Sequence, residues 1–236
     1  MKNNMDGANS WSSLAQLFNA LNTTNYVILR NYEFLPNNFN PSIHGDVDIL
    51  VENLEKVILI THAKKEQPES PNNVAFIIKV GDEEIKFDMR YVGDGYYDEK
   101  WERDMLLNAR EITSVSKDTI KVMSTMHQYF SLLYHVYLQK KEVASDYPQK
   151  LRQFAIDAGL EYKNDTRYLM LQLKDFMRKN HYHVSIPSDE GVEINWKNLR
   201  YLSEYSKTKL IYLRQGGIKR FMQRVMRKII KLNELY

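Results

Sequence analysis

The 236-residue chain contains no cysteine. Disulfide bonds and thiolate metal sites are therefore excluded. Its first residues, MKNNMDGANSWSS, lack the apolar core of a signal peptide, and no apolar run reaches the length that spans a bilayer. We therefore expect a protein that stays in the cytoplasm.

The chain has only a small excess of positive charge, and that excess is concentrated at its C-terminal end. The formal net charge is +3 at pH 7. From Gly216 onward six lysines and arginines stand against the single acid Glu234, a net charge of +5, which leaves residues 1–215 at −2. A partner is therefore indicated for the basic tail and not for the body.

The remaining composition is that of a globular protein, with 43% hydrophobic and 27% charged residues. Periodicity predicts an α+β protein, in which a mixed sheet with flanking helices precedes a helical domain and a basic amphipathic helix. The predicted domains are 1–124, 125–215 and 216–236. Predicted strands are 26–30, 46–51, 73–80, 83–91 and 120–124, the third and fourth joined as a hairpin across Gly81-Asp82. Predicted helices are 11–21, 53–65, 98–106, 125–141, 146–159, 163–180 and 195–206.

The stretch HGDVDILV, residues 44–51, places two carboxylates at the start of an apolar strand. Side chains alternate across a strand, so Asp46, Asp48 and Leu50 share one face. Two carboxylates on one face repel each other unless a cation lies between them. Mg²⁺ prefers carboxylate oxygens together with substrate phosphates, which makes this pair a candidate metal site.

A third carboxylate occurs in EEIKFDMRY, residues 83–91. Its polar face carries Lys86, Asp88 and Arg90, so Asp88 can reach the Asp46 and Asp48 site from a neighbouring strand. Three carboxylates on adjacent strands suit two-metal phosphoryl or nucleotidyl transfer. The two cations beside Asp88 suit a phosphorylated substrate.

GDVDILV, followed by a helix, a hairpin and KFDMR, resembles the nucleotidyltransferase superfamily that includes the DNA polymerase beta fold. More narrowly, it resembles small bacterial nucleotidyltransferase-like proteins encoded with genes for surface polysaccharides. The stretches FDMRYVGDGYYDEKWERDML and YFSLLYHVYLQKK are similar to that group too, so the resemblance covers about residues 26–141. It implies that Asp46, Asp48 and Asp88 are the catalytic triad and bind Mg²⁺ or Mn²⁺.

The superfamily's Gly-Ser pair, which grips nucleotide phosphates, is missing from the corresponding stretch LRNYEFLP. Arg30, Asn31 or His44 with Gly45 are the candidates to replace it, since an arginine grips phosphate in bidentate fashion. The full set of predicted substrate-binding residues is Arg30, His44, Gly45, Lys86, Arg90 and Tyr91. The aromatic loop 90–101 either stacks a base or sugar beside the metals or anchors itself to the helical half.

These features favour metal-dependent nucleotidyl or phospho transfer from a nucleotide or nucleotide-activated donor. The acceptor would be a small sugar or alcohol, or a lipid-linked glycan, in surface polysaccharide biosynthesis, with no specific nucleic acid. One alternative is a non-catalytic scaffold of the same fold. Another is a toxin–antitoxin nuclease using the Arg178 and His183 spacing. His127 and His135, on the helix 125–141, are expected to be structural, and the alternative for His135 is that it faces the cleft.

The basic tail has the pattern of an amphipathic helix. Its apolar stripe consists of Ile218, Phe221, Met222, Val225, Met226, Ile229 and Ile230. Such a helix suits an anionic membrane surface, which would place the protein at the inner face of the cell membrane. The alternative is that the stripe packs on the helical domain or on a second subunit.

Overall fold

The computed structural model describes residues 11–70, 72–187, 189 and 191–202. The predicted tail helix at 216–236 lies outside the described residues, as does the end of the segment predicted at 195–206. No helix in the described part of the chain is long and apolar enough to cross a membrane.

A seven-stranded mixed sheet forms the centre of the molecule, in the order β3-β4-β5-β2-β1-β7-β6. Its strands are β1 Tyr26–Ile28, β2 Val47–Val51, β3 Lys64–Lys65, β4 Ala75–Val80, β5 Glu83–Tyr91, β6 Arg110–Thr113 and β7 Thr119–Val122. The pairs β2 with β5 and β1 with β7 are parallel, and the other four are antiparallel.

Helices flank this sheet. They are α1 Leu14–Leu21, α2 Pro41–His44, α3 Leu54–Thr61, α4 Glu99–Leu107, α5 Thr125–Leu138, α6 Tyr147–Asp157, α7 Thr166–Asn180 and α8 Trp196–Leu202. Every residue of α5 from His127 to Leu138 is buried, because α6, α7 and α8 pack around it. The predicted α+β class, with a mixed sheet flanked by helices, is confirmed.

Helices cover both faces of the sheet. Because side chains alternate along β2, its residues pack in turn against the helices of one face and of the other. Val47 and Ile49 pack in the hydrophobic cluster that contains α1 and α3. Leu50 packs with Val27 in the larger cluster that contains α4 to α8. Asp48 shares the face of Leu50 and therefore points toward the face of the sheet that helices α4 to α8 cover.

The predicted hairpin is confirmed at Gly81, whose φ of +61° suits the first position of a two-residue hairpin turn. The predicted helix 53–65 is too long. It ends at Thr61 because His62 adopts a left-handed conformation (φ +56°), and Lys64 and Lys65 then pair with β4 as β3. The short, polar strand β6 was not predicted, since four residues carry little periodic signal.

The aromatic loop after β5 is anchored to the helical half. The Tyr97 and Trp101 side chains are buried, and the Trp101 ring stacks 5.3 Å from the Tyr182 ring. Trp101 Nε1 donates a hydrogen bond of 3.0 Å to Nδ1 of His127, and burial lowers the pKa of His127 to about 4. His127 is therefore an uncharged part of the core, as its place on an apolar helix predicts.

Candidate functional site

A cavity of about 320 Å³ lies on the face of the sheet that helices α4 to α8 cover. Its other walls are helices α5 and α6 and the segment that precedes α8. Charged side chains line much of its wall. The carboxylates are Glu33, Asp46, Asp48, Asp88 and Asp189, and the cations are Arg30, Arg90, Lys140 and Lys150. A cavity of this size and polarity suits a small phosphorylated ligand.

Two of the predicted catalytic carboxylates lie side by side on parallel strands. Asp48 of β2 is the direct register partner of Asp88 of β5. Asp46 comes two residues before Asp48, just after Gly45, whose φ of +75° lets the chain turn from α2 into β2. All three carboxylates line the cavity.

The electrostatic cost of this arrangement falls on Asp88. Burial, followed by the charges of Asp48 and Asp46, raises the pKa of Asp88 to about 6. Within the described residues, neither Asp46 nor Asp88 forms an ion pair. The cavity therefore carries negative charge that a bound cation would compensate.

Asp48 has a partner of its own. Arg30 follows β1, which pairs with β2, and its guanidinium forms a two-point ion pair with the Asp48 carboxylate. Arg30 Nε lies 3.0 Å from Asp48 Oδ2, and Arg30 Nη1 donates to the Tyr96 hydroxyl at 3.1 Å. All three nitrogens of Arg30 are thus engaged.

Tyr96 links this ion pair to helix α5. Its hydroxyl lies 2.7 Å from Nδ1 of His135, and its backbone carbonyl accepts a 2.7 Å hydrogen bond from Gln139 Nε2. Burial, followed by the nearby Arg30 charge, holds the pKa of His135 well below its usual range. His135 is therefore neutral and lines the cavity, beyond the structural role expected of it.

Arg90 is held in a different way. Its guanidinium lies 4.0 Å above the centre of the Tyr96 ring, and Nη2 pairs with Asp189 Oδ2 at 2.7 Å. Nη1 is 3.6 Å from Asp94 Oδ2, and neither atom has a hydrogen-bond partner in the described part of the chain. Arg90 itself is only 5% exposed.

Six predicted residues meet in the cavity: Arg30, Asn31, Asp46, Asp48, Asp88 and Arg90. Four others do not line it in the described structure. His44 stacks on Phe34 with ring centres 3.8 Å apart, and Lys86 pairs with Glu66 at 3.1 Å. Gly45 serves as the turn before β2, and Tyr91 packs in the cluster on the opposite face of the sheet.

Sequence reasoning did not place the helical wall of the cavity. Gln139, Tyr147 and Lys150 line it from the end of α5 and from α6, and Asp189 lines it from the segment before α8. These residues lie 50 or more positions from Asp88 in the chain, and no local pattern connects them to it. For Tyr96 a usable signal exists, because it lies in the glycine- and aromatic-rich loop 90–101 directly after Asp88 and Arg90.

The three carboxylates in this cavity are the kind of oxygen ligands that a hard divalent cation prefers. Their negative charge is only partly compensated by the protein, which also favours a bound cation. Among the described residues, however, no three acidic or histidine side chains are arranged to hold a metal ion as they stand. Asp48 directs both oxygens at Arg30. A carboxylate has about four lone-pair positions, so it can keep this arginine and still bind a cation once the three groups draw together.

Neither a comparison with protein-family models nor a comparison with curated proteins finds a match to this chain. A function is therefore inferred from the cavity and the residues that line it.

Proposed function

We propose that the protein is a metal-dependent transferase of nucleotidyl or other phosphorus-containing groups with a nucleotidyltransferase-like fold. One observation carries the proposal: Asp48 and Asp88 are register partners on parallel strands, and with Asp46 they line a cavity that two arginines share. This combination suits a cation-bridged phosphate better than it suits an apolar ligand.

Each residue has a defined part in this proposal. Asp46, Asp48 and Asp88 would hold Mg²⁺ or Mn²⁺, which when bound lowers the pKa of an attacking hydroxyl and neutralises charge on the donor phosphates. Arg30 fixes the direction of Asp48, and Tyr96 fixes Arg30. Arg30 and Arg90 are the candidates to grip the donor in place of the missing Gly-Ser pair, and Arg30 would do so only by sharing or giving up a contact with Asp48 or Tyr96. The proposed donor is a nucleotide or nucleotide-activated group.

The proposed acceptor is a small sugar or alcohol, or a lipid-linked glycan, of surface polysaccharide biosynthesis. It rests on the resemblance of the stretch around residues 26–141 to nucleotidyltransferase-like proteins of polysaccharide gene clusters. The polar lining that α5 and α6 add to the cavity, from Gln139, Lys140 and Tyr147, supports a hydroxyl-rich acceptor.

A second candidate is a binding protein of the same fold that does not catalyse transfer. The ion pair between Arg30 and Asp48 favours it, because Arg30 already neutralises one of the three carboxylates. The two candidates differ in their need for a divalent cation, which a non-catalytic scaffold does not require.

Thermal shift with nucleotides and nucleotide-sugars, with and without Mg²⁺, tests the proposal. We expect at least one such donor to stabilise the protein only when Mg²⁺ is present, since stabilisation follows ligand occupancy. If no nucleotide or nucleotide-sugar stabilises the protein with either Mg²⁺ or Mn²⁺, the non-catalytic binding protein is the better interpretation.

Lysine in place of the phosphate-gripping arginine should weaken donor binding by about tenfold, because a point charge cannot reproduce the bidentate fork. Arg30→Lys and Arg90→Lys are compared by titration calorimetry with the donor and Mg²⁺. Arg103→Lys is the control, since Arg103 pairs with Glu99 on the exposed face of α4. Equal affinity in both site variants would mean that other groups hold the donor.

The basic tail is proposed to bind an anionic membrane surface, which would bring a lipid-linked acceptor close to the enzyme. Full-length protein should sediment with anionic vesicles and be released by salt, because each tail cation contributes about 1 kcal/mol near such a surface. A chain ending at Gln215 should remain in the supernatant and stay folded. Unfolding of that shorter chain would instead assign the tail to the core or to a subunit interface.

A further inference from the structure

A short segment between α7 and α8 closes one side of the cavity and is tied to α5 at both ends. We call its described residues, 185–187, 189 and 191–195, the strap. The Ser185 backbone exchanges hydrogen bonds with the Tyr134 hydroxyl (3.2 and 3.1 Å). The Asn195 backbone N–H donates to the Leu138 carbonyl at 2.7 Å. Asp189 lies between these two anchors and lines the cavity.

The two cavity arginines differ in what they can still bind. Arg30 uses all three nitrogens on Asp48 and Tyr96. Arg90 uses Nη2 on Asp189, while its buried Nη1 lies 3.6 Å from Asp94 Oδ2, an ion pair too long for a hydrogen bond, and has no hydrogen-bond partner among the described residues. An unmade hydrogen bond on a buried charged group is costly, so Arg90 keeps a hydrogen-bonding capacity that Arg30 has already used.

We propose that Arg90 is the anion subsite for a phosphate group of the ligand, and that Asp189 of the strap fills this subsite as an internal competitor. A carboxylate and a phosphate present a similar pair of oxygens to a guanidinium. Asp189 satisfies one terminal nitrogen of Arg90, whereas a phosphate can satisfy both. The proposal deepens the transferase function above and rests on it for the identity of the ligand.

The position of Arg90 on β5 explains why the anion should be a phosphate. Asp88 and Arg90 share one face of the strand, and two residues of strand span about 6.6 Å. An anion on Arg90 therefore lies next to the three carboxylates proposed to hold Mg²⁺. A phosphate can bridge such a cation and an arginine, because Mg²⁺ sites combine protein carboxylates with substrate phosphates.

Asp189 is held in place for this role. Its second oxygen, Oδ1, accepts a 2.8 Å hydrogen bond from the Gly191 backbone N–H. A competitor that occupied the subsite about nine-tenths of the time would lower the apparent affinity for the external anion about tenfold. The strap thus sets the affinity of the cavity for phosphate.

Inorganic pyrophosphate binding to the full-length protein, measured by titration calorimetry in EDTA, tests the subsite without a metal. Asp189→Asn should bind pyrophosphate at least about tenfold more tightly than the natural sequence, because the competing charge is gone. The asparagine Oδ1 can still accept from Gly191, so the strap should keep its conformation. Unfolding in urea checks that the variant is folded.

Two matched variants separate this effect from a simple change of charge or of strap packing. Glu33→Gln removes one negative charge from the same cavity wall, and no described contact joins Glu33 to Arg90. Glu193→Gln removes a charge from the strap itself, where Glu193 forms a solvent-exposed ion pair of 2.7 Å with Lys141. Both should bind pyrophosphate nearly as the natural sequence does. A gain in Glu33→Gln equal to that in Asp189→Asn would overturn the proposal.

Combining Asp189→Asn with Arg90→Lys should remove most of the gain, because lysine cannot bind phosphate through two nitrogens. A gain that survives in this double variant would place the anion elsewhere. If Asp189→Asn brings no gain while nucleotide binding still requires Mg²⁺ and Asp48, only the subsite is wrong. If the gain appears but no variant binds Mg²⁺ with any nucleotide, the transferase proposal fails and the anion subsite remains.

Discussion

Asp48→Asn should abolish Mg²⁺-dependent donor binding and turnover. Losing one ligand charge removes several kcal/mol of transition-state stabilisation, which corresponds to at least about a hundredfold in rate. The variant should also lose stability, because Arg30 keeps its charge in a side chain that is only 16% exposed. Removing one partner of a buried ion pair costs about 3–5 kcal/mol. Mn²⁺ titration in the presence of nucleotide and unfolding in urea measure the two effects.

A double variant separates these two losses. Arg30→Gln combined with Asp48→Asn removes both charges, so no buried charge is left without a partner, and much of the stability should return. Cation binding should remain absent. If Asp48→Asn still binds Mn²⁺ and turns over the donor normally, Asp48 is not a metal ligand. Its carboxylate would then serve only to hold Arg30.

Asp88→Asn should stabilise the fold at neutral pH. The pKa of Asp88 rises from 3.8 to about 6 in the folded protein, a difference of about two units and hence up to about 3 kcal/mol. The folded state binds this proton more tightly than the unfolded state. This group's contribution is therefore fully present below pH 3.8 and is lost as the pH rises through about 6. The uncharged asparagine avoids that loss.

The measurement is urea unfolding of both proteins across this pH window. The gain from Asp88→Asn should be largest above pH 6 and should disappear toward pH 4. Saturating Mg²⁺ should close the gap at neutral pH, because the natural protein gains from a cation that the variant binds poorly. Asp82→Asn, in the exposed hairpin turn, is the control and should change stability little. A loss of stability in Asp88→Asn at every pH would mean that the carboxylate supports local packing.

Carboxylates held close together without an ion pair, as Asp46 and Asp88 are within the described part of the chain, lower the stability of the fold. Proteins commonly accept such a loss at a functional site. Asp88 combines a pKa raised by burial and by two like charges with a position in the charged cavity that Asp46 and Asp48 also line. A raised pKa alone does not mark such a site, because burial also raises the pKa of Glu102, to about 8. Glu102 differs from Asp88 in its contacts: it is fully buried, accepts hydrogen bonds from the backbone N–H groups of Gly93 and Tyr97, and fixes the aromatic loop.

Local patterns were enough to predict much of the sheet and the direction of its polar groups. The alternation in DVDILV placed Asp48 with Leu50 on one face and Val47 with Ile49 on the other, as the two hydrophobic clusters confirm. Glycine at position 81 predicted the hairpin, because few other residues adopt its backbone angles without strain. Both features depend on neighbours within a few residues, which is the range over which periodicity acts.

The composition of the cavity wall was decided by the tertiary structure. β5 lies beside β2 only after the chain has passed through α3, β3 and β4, and that pairing sets Asp48 against Asp88. The helical half brings Gln139 and Tyr147 to the same cavity, and Asp189 reaches Arg90 across 99 positions of sequence.

The sequence by itself determined which carboxylates share a face, where the hairpin turns and about where the longer helices lie. It did not determine that Arg30 pairs with Asp48, that His135 is held neutral beside Tyr96, or that the strap supplies a competing carboxylate. Face and turn follow from local sterics and side-chain alternation. Those contacts follow from the packing of distant segments against one another, whose free energy is shared among many residues and is written in no single stretch of the chain.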